Sequence, residues 1–137
     1  MDAVYSARLA ELDFGELSGY LRGFIDLVFE LDGRIYVVDY KSNALGESAN
    51  DYRDSAVKRA MMDHHYPIQA ALYAAAVDNW LRTGYAGYEY EMHFGGVLYL
   101  FVRGMHSCLP PGAGVHFHRP TEAGLRRLAS GLRGGVL

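Results

Sequence analysis

The chain has 137 residues, half of them hydrophobic and 21% charged, which places it among ordinary globular proteins, allows one domain with a respectable core and excludes a disordered class. A formal net charge of −3 excludes a surface that is one basic footprint for nucleic acid, while leaving room for an acidic site that a cation neutralises. A single cysteine, Cys108, excludes an internal disulfide framework or a four-cysteine cluster within this chain and fits a reducing compartment. No run reaches membrane-spanning length, and the N-terminal stretch lacks the continuous apolar core of a signal peptide, so a cytoplasmic location with no membrane partner is expected.

In chain order, residues 1–16 carry Val4, Leu9, Leu12 and Phe14 at irregular spacing and read as a weak leader. Residues 16–30 read as extended, with Gly19 and Gly23 as bulge or close-approach positions. Asp32-Gly33, between two runs rich in β-branched and aromatic residues, predicts a hairpin turn. The partner strand is Arg34–Lys41, whose apolar run from Ile35 to Val38 predicts burial on both faces.

A polar loop, 42–48, follows, then a helix over 51–63 with Ala56, Val57, Ala60 and Met61 at helical spacing. Pro67 breaks it, and Tyr66-Pro67 opens a second helix, 68–81, with Ile68, Leu72, Ala75, Ala76 and Trp80 as its apolar stripe and Gly84 as a stop. Residues 85–90 are turn-like. Residues 96–103 form the strongest strand and are expected to be central, 104–114 is a loop, 115–118 a short strand, and Thr121 caps a last helix over 122–132.

The chemistry centres on the hairpin. Asp26 and Asp39 fall on neighbouring strands inside apolar runs, where a carboxylate is costly to bury unless its charge is compensated. A divalent cation is the natural compensator. Asp39 and Lys41 point to the same face, while Tyr40 points away and leaves its backbone carbonyl near the site. A surface hairpin with an Asp/Lys cross-strand pair is the plain alternative, worth a few tenths of a kcal/mol.

Gln69 and Tyr73, four apart on the second helix, share a face, and both can donate and accept hydrogen bonds. The alternative is that Tyr73 packs into the core and Gln69 is solvated. Of the six histidines, His64 and His65 are adjacent and cannot share a helix face, whereas His116 and His118 share a strand face and could chelate. Solvated or structurally hydrogen-bonded histidines are commoner. Arg53, Lys58, Arg59 and Arg103 are candidates to line a path for phosphates, though most surface Lys and Arg are merely solvated.

These residues carry a resemblance. Asp26, Asp39-Tyr40-Lys41 and Gln69-Ala70-Ala71-Leu72-Tyr73 resemble the aspartate, D/E-x-K and Q-x-x-x-Y motifs of the PD-(D/E)xK nuclease superfamily in its RecB-type branch. The runs GFIDLVF, VDYKSN, HHYPIQAALY and YEYEMHFGGVLYLFVRG resemble the C-terminal nuclease domain of RecB-type helicase-nuclease subunits, from about residue 12 onward.

The resemblance implies a restriction-endonuclease-like α/β core, a mixed central sheet flanked by helices. It implies Mg²⁺-dependent hydrolysis of DNA, at single strands and duplex ends, in double-strand break repair by homologous recombination, beside RecC- and RecD-like subunits and RecA. In that pattern Asp26, Asp39 and the Tyr40 carbonyl hold the metal, an oxygen set apt for Mg²⁺. Asp39, Lys41, Gln69 and Tyr73 are the catalytic set. Lys41 meets the attacking water or the scissile phosphate, and Gln69 and Tyr73 grip phosphates or steady Lys41.

The chain departs from the pattern at its front. RecB-type domains carry a histidine-bearing helix and an acidic strand before the first metal aspartate, whereas here 25 residues precede Asp26 and none is histidine. One partial domain over 1–137, lacking its first helix and strand and one metal ligand, is therefore expected, as is the absence of a helicase motor, since there is no G-x-x-x-x-G-K-[ST]. A second reading is a catalytically incomplete fragment that keeps the fold for DNA binding or for docking to those partners. A third is a split reading frame.

Overall fold

A computed structural model describes residues 23–134. The hairpin forms as predicted: strands β1 (Leu27–Leu31) and β2 (Arg34–Lys41) pair antiparallel with Leu27 opposite Val38 and Leu31 opposite Arg34. Asp32 and Gly33 both take positive φ, 51° and 75°, the two left-handed positions whose twist matches that of the flanking strands. A glycine at the second position makes that turn cheap.

From β2 the chain runs through a 3-10 turn (Ala49–Tyr52), helix α1 (Asp54–Asp63) and helix α2 (Tyr66–Gly84), then the one-turn helix α3 (Tyr90–His93), into β3 (Phe94–Phe101). A second 3-10 turn (Val102–Gly104) and a loop lead to β4 (Val115–His118), and helix α4 (Glu122–Gly134) follows. The sheet order is β1-β2-β3-β4, with β2 and β3 parallel and both outer pairs antiparallel. A parallel pair needs a long crossover, and here α1 and α2 supply it. The result is the expected α/β architecture with a mixed sheet.

Alternation along the two inner strands sets one face against the helices. Ile35 and Val37 on β2, with Val97, Tyr99 and Phe101 on β3, join Val57 and Met61 of α1, Ala70 and Ala74 of α2 and Leu125 of α4 in one buried cluster. Burying such large side chains is worth about 1.5–3 kcal/mol each and is the main force holding α2 to the sheet. Asp39 and Lys41 continue the inward series of β2 by period two, so the fold delivers both to the helix-covered face.

Three expectations need correction. The predicted stripe on α2 matches its buried face only in part: Ala75 is buried and Ile68 and Leu72 are half-buried, but Trp80 is 63% exposed and Ala76 is exposed, while Ala70, Ala71, Tyr73, Ala74, Val77, Asp78 and Leu81 are buried as well. Alanines let the helix lie close to the sheet, which outweighs the hydrophobicity of a longer stripe. Of the extended stretch expected at 16–30, residues 23–26 are not strand and β1 begins at Leu27; residues 1–22, with Gly19, lie outside the described residues. Residues 85–89 are turn-like as expected, but Tyr90 opens α3 and packs under the end of the sheet, where its hydroxyl donates to the Pro120 carbonyl.

Candidate active site

At the carboxyl end of β2, Asp39 is 4% exposed. Parallel pairing sets it beside Tyr99 of β3, and the helix layer closes over it. The Lys41 ammonium sits 2.6 Å from Asp39 Oδ2, and the Lys41 side chain is only 13% exposed. This contact is an ion pair without hydrogen-bond alignment, so Asp39 Oδ2 is a buried oxygen with no hydrogen-bond partner among the described residues. The ammonium compensates the charge that burial would otherwise make costly, and the other Asp39 oxygen and the open hairpin end remain for a further cation.

Asp26 lies one residue before β1 and is exposed, contrary to the expectation of two buried aspartates. The apolar flanks that suggested burial do not cover it: Phe24 is 78% exposed and Leu27 40%. Continuing the hairpin register by one step nevertheless sets Asp26 opposite Asp39, and the Tyr40 backbone N–H donates to Asp26 Oδ2 at 2.9 Å. Tyr40 itself turns outward, 49% exposed, as the period-two reading predicts. Asp26, Asp39 and the Tyr40 backbone therefore share the open end of the hairpin.

Helix α2 supplies the next layer. Gln69 Oε1 accepts from Lys41 Nζ at 3.1 Å and from the Tyr99 hydroxyl at 3.0 Å, and Gln69 Nε2 donates to the Tyr73 hydroxyl at 3.0 Å. The Q-x-x-x-Y pair thus reaches Lys41 through Gln69. Tyr73 is largely buried, so its ring also belongs to the core. Gly23 is a close-approach position, since a Cβ there would fall 2.9 Å from Tyr73 Cε1.

The residues that sequence reasoning missed are Tyr66 and Tyr99, whose rings lie 4.0 Å and 5.3 Å from Lys41 Nζ. Tyr99 falls in a strand whose alternation was legible, but its place beside Asp39 depends on the parallel register. The remaining candidates lie elsewhere. His116 is buried on β4, where burial holds its imidazole below its ordinary pKa, and His64 stacks on Tyr66. No group of three or more His, Cys, Asp or Glu side chains that could hold a metal occurs among the described residues. Lys58 pairs with Asp54 on the exposed side of α1, whereas Arg103 donates to the Ser42 carbonyl at 2.7 Å, next to Lys41 in sequence.

A bound metal would meet oxygen donors alone: the Asp26 and Asp39 carboxylates and the backbone carbonyl of Tyr40, the residue after Asp39. That all-oxygen donor set, with a buried carboxylate within it, fits a small hard divalent cation.

The site thus consists of a helix-braced aspartate–lysine pair on a parallel strand, with a second aspartate across the hairpin. The family model described as the PD-(D/E)XK nuclease superfamily matches residues 3–131, and the chain belongs to that superfamily. Nucleases of this superfamily use divalent metal ions. Among characterised proteins the chain is similar to RecBCD enzyme subunit RecB. Identity is 45% over 131 residues with that of Escherichia coli K12, covering 96% of this chain and 11% of that protein. It is 44% over 110 residues with that of Haemophilus influenzae, covering 80% and 9%, and 44% over 115 residues with that of Mycobacterium tuberculosis H37Rv, covering 82% and 10%. The chain thus spans about a tenth of the length of the relatives it matches.

Proposed function

We propose that this chain is a RecB-type nuclease domain that hydrolyses DNA phosphodiesters with Mg²⁺, at single strands and duplex ends, in recombinational repair of double-strand breaks. Residues 1–137 act as one partial nuclease domain, in the cytoplasm, beside RecC- and RecD-like subunits, and hand the processed strand to a RecA-like protein. The superfamily membership and the similarity to RecB support this reading. Among the described residues no helix is long and apolar enough to cross a membrane.

The observation that carries the reading is a buried Asp39 carboxylate paired with a held Lys41, across the hairpin from Asp26. Asp26, Asp39 and the Tyr40 carbonyl would hold the cation, which supplies a lowered pKa for a bound water and neutralises charge on the phosphoryl group. Lys41 faces the phosphate oxygens, where its positive charge stabilises the negative charge that builds as water attacks phosphorus and the bond to the departing sugar oxygen breaks. Gln69 fixes Lys41 through Oε1, and Tyr73 fixes Gln69. Arg103, anchored on the Ser42 carbonyl, is placed to neutralise a neighbouring phosphate.

The test is incubation of the chain with linear single-stranded and duplex DNA and Mg²⁺, beside Asp39→Ala and Lys41→Ala. Cutting by the parent, lost in both variants and in EDTA, is expected. Equal inactivity of all three would contradict catalysis by this chain and favour a domain that binds DNA or docks without cutting.

A further inference from the structure

The environment of Lys41 is more specific than its motif. Its ammonium is gathered by Asp39 Oδ2 at 2.6 Å and Gln69 Oε1 at 3.1 Å on the polar side. On the other side stand two aromatic faces, Tyr66 with its centroid at 4.0 Å and Tyr99 at 5.3 Å. An ammonium over a ring face is attracted by the ring quadrupole, more strongly where water is excluded. Here the side chain is 13% exposed.

Tyr66 is itself held from three directions. It stacks on Tyr99 at 5.8 Å and on His64 at 5.2 Å. Its hydroxyl lies 3.2 Å from Asn43 Nδ2 and 3.3 Å from Asn43 Oδ1, and Asn43 comes from the loop that follows Lys41. Tyr66 is also the first residue of α2, with Pro67 behind it, so its backbone is fixed where the helix begins. A ring held this firmly does more than fill space beside a lysine that has four rotatable bonds to lose.

We propose that Tyr66 is a positioning residue for Lys41. Its ring face, backed by His64 and Tyr99, confines the ammonium to the point where it meets the phosphate, and the hydroxyl serves only to orient the ring through Asn43. This rests on the nuclease reading for its link to rate, but the contact itself does not.

The test combines two readouts on the parent chain, Tyr66→Phe and Tyr66→Leu, with His64→Ala as a milder variant that leaves the core untouched. In NMR spectra the Lys41 ε-methylene protons are expected upfield in the parent, from the Tyr66 ring current, and near that position in Tyr66→Phe. They return to the ordinary lysine position in Tyr66→Leu and move part of the way in His64→Ala. In DNA cleavage, Tyr66→Leu is expected to lower kcat by about tenfold with KM little changed, and Tyr66→Phe to restore most of it.

Lys41 protons at the ordinary position in the parent, or unmoved by Tyr66→Leu, would overturn the proposal. So would Tyr66→Phe losing as much kcat as Tyr66→Leu, because the hydroxyl would then be the active part. If the parent does not cut DNA, the nuclease reading fails for this chain and the NMR result alone decides whether Tyr66 confines Lys41.

Discussion

The two carboxylates of the site sit in opposite surroundings. Asp39 is buried under α2, paired with Lys41 and cross-braced through Gln69 to Tyr73 and Tyr99. Asp26, across the hairpin, is exposed and accepts from the Tyr40 N–H. In the proposed function the helix side would hold the catalytic groups at fixed positions before anything binds, and the hairpin side would leave room for a cation and a phosphate to enter.

Removing each aspartate in turn separates these roles. Both Asp26→Ala and Asp39→Ala are expected to slow cleavage by about 10³-fold, since each would take away a ligand. Chemical denaturation should tell them apart: Asp39→Ala leaves Lys41 without its anion and costs about 3 kcal/mol, the low end for breaking a buried pair. Asp26→Ala should cost less than about 0.5 kcal/mol, as at an ordinary exposed position. Equal costs would abolish the distinction between a braced and an open half.

Gly23→Ala probes where the halves touch. A Cβ 2.9 Å from Tyr73 Cε1 forces that ring to shift, and the shift passes through the Tyr73–Gln69 hydrogen bond to Lys41. Cleavage slower by about tenfold, with an unchanged far-UV spectrum, is expected. An unchanged rate would mean that Tyr73 is core filling only.

The smallest effect lies in the sheet behind the site. Burial holds the His116 imidazole below its ordinary 6.5, with Asp54 opposing that shift and Lys58 adding to it. The unfolded chain then takes up its proton first as pH falls. The stability His116 contributes is fully present above about pH 6.5 and is lost as pH drops through the lower folded value. A fall of a few degrees in Tm from pH 7 to pH 5, flattened in His116→Gln, is expected.

How much of this was legible in the sequence follows the range of the interactions. Asp32-Gly33 announced the hairpin, and the register it imposed set Asp26 opposite Asp39. Period two along Arg34–Lys41 put Asp39 and Lys41 on one face and Tyr40 on the other, and Pro67 marked the start of α2. All of these are decided within a few residues.

What was illegible depends on packing across long separations. The parallel register that brings Tyr99 to Asp39 joins strands 60 positions apart, and no local pattern encodes it. The buried face of α2 was only partly legible because small residues, which carry little hydrophobic signal, let the helix approach the sheet closely. Asp26 was misread because its apolar neighbours Phe24 and Leu27 are themselves exposed.

In the proposed function Asp26 and Asp39 would both be needed to hold the cation. Mn²⁺ titration followed by electron paramagnetic resonance tests it most directly, on the parent chain and on Asp26→Ala and Asp39→Ala. Saturable binding by the parent, lost in both variants while both stay folded, is the expected result. Equal binding by all three proteins, or none by the parent, would contradict it.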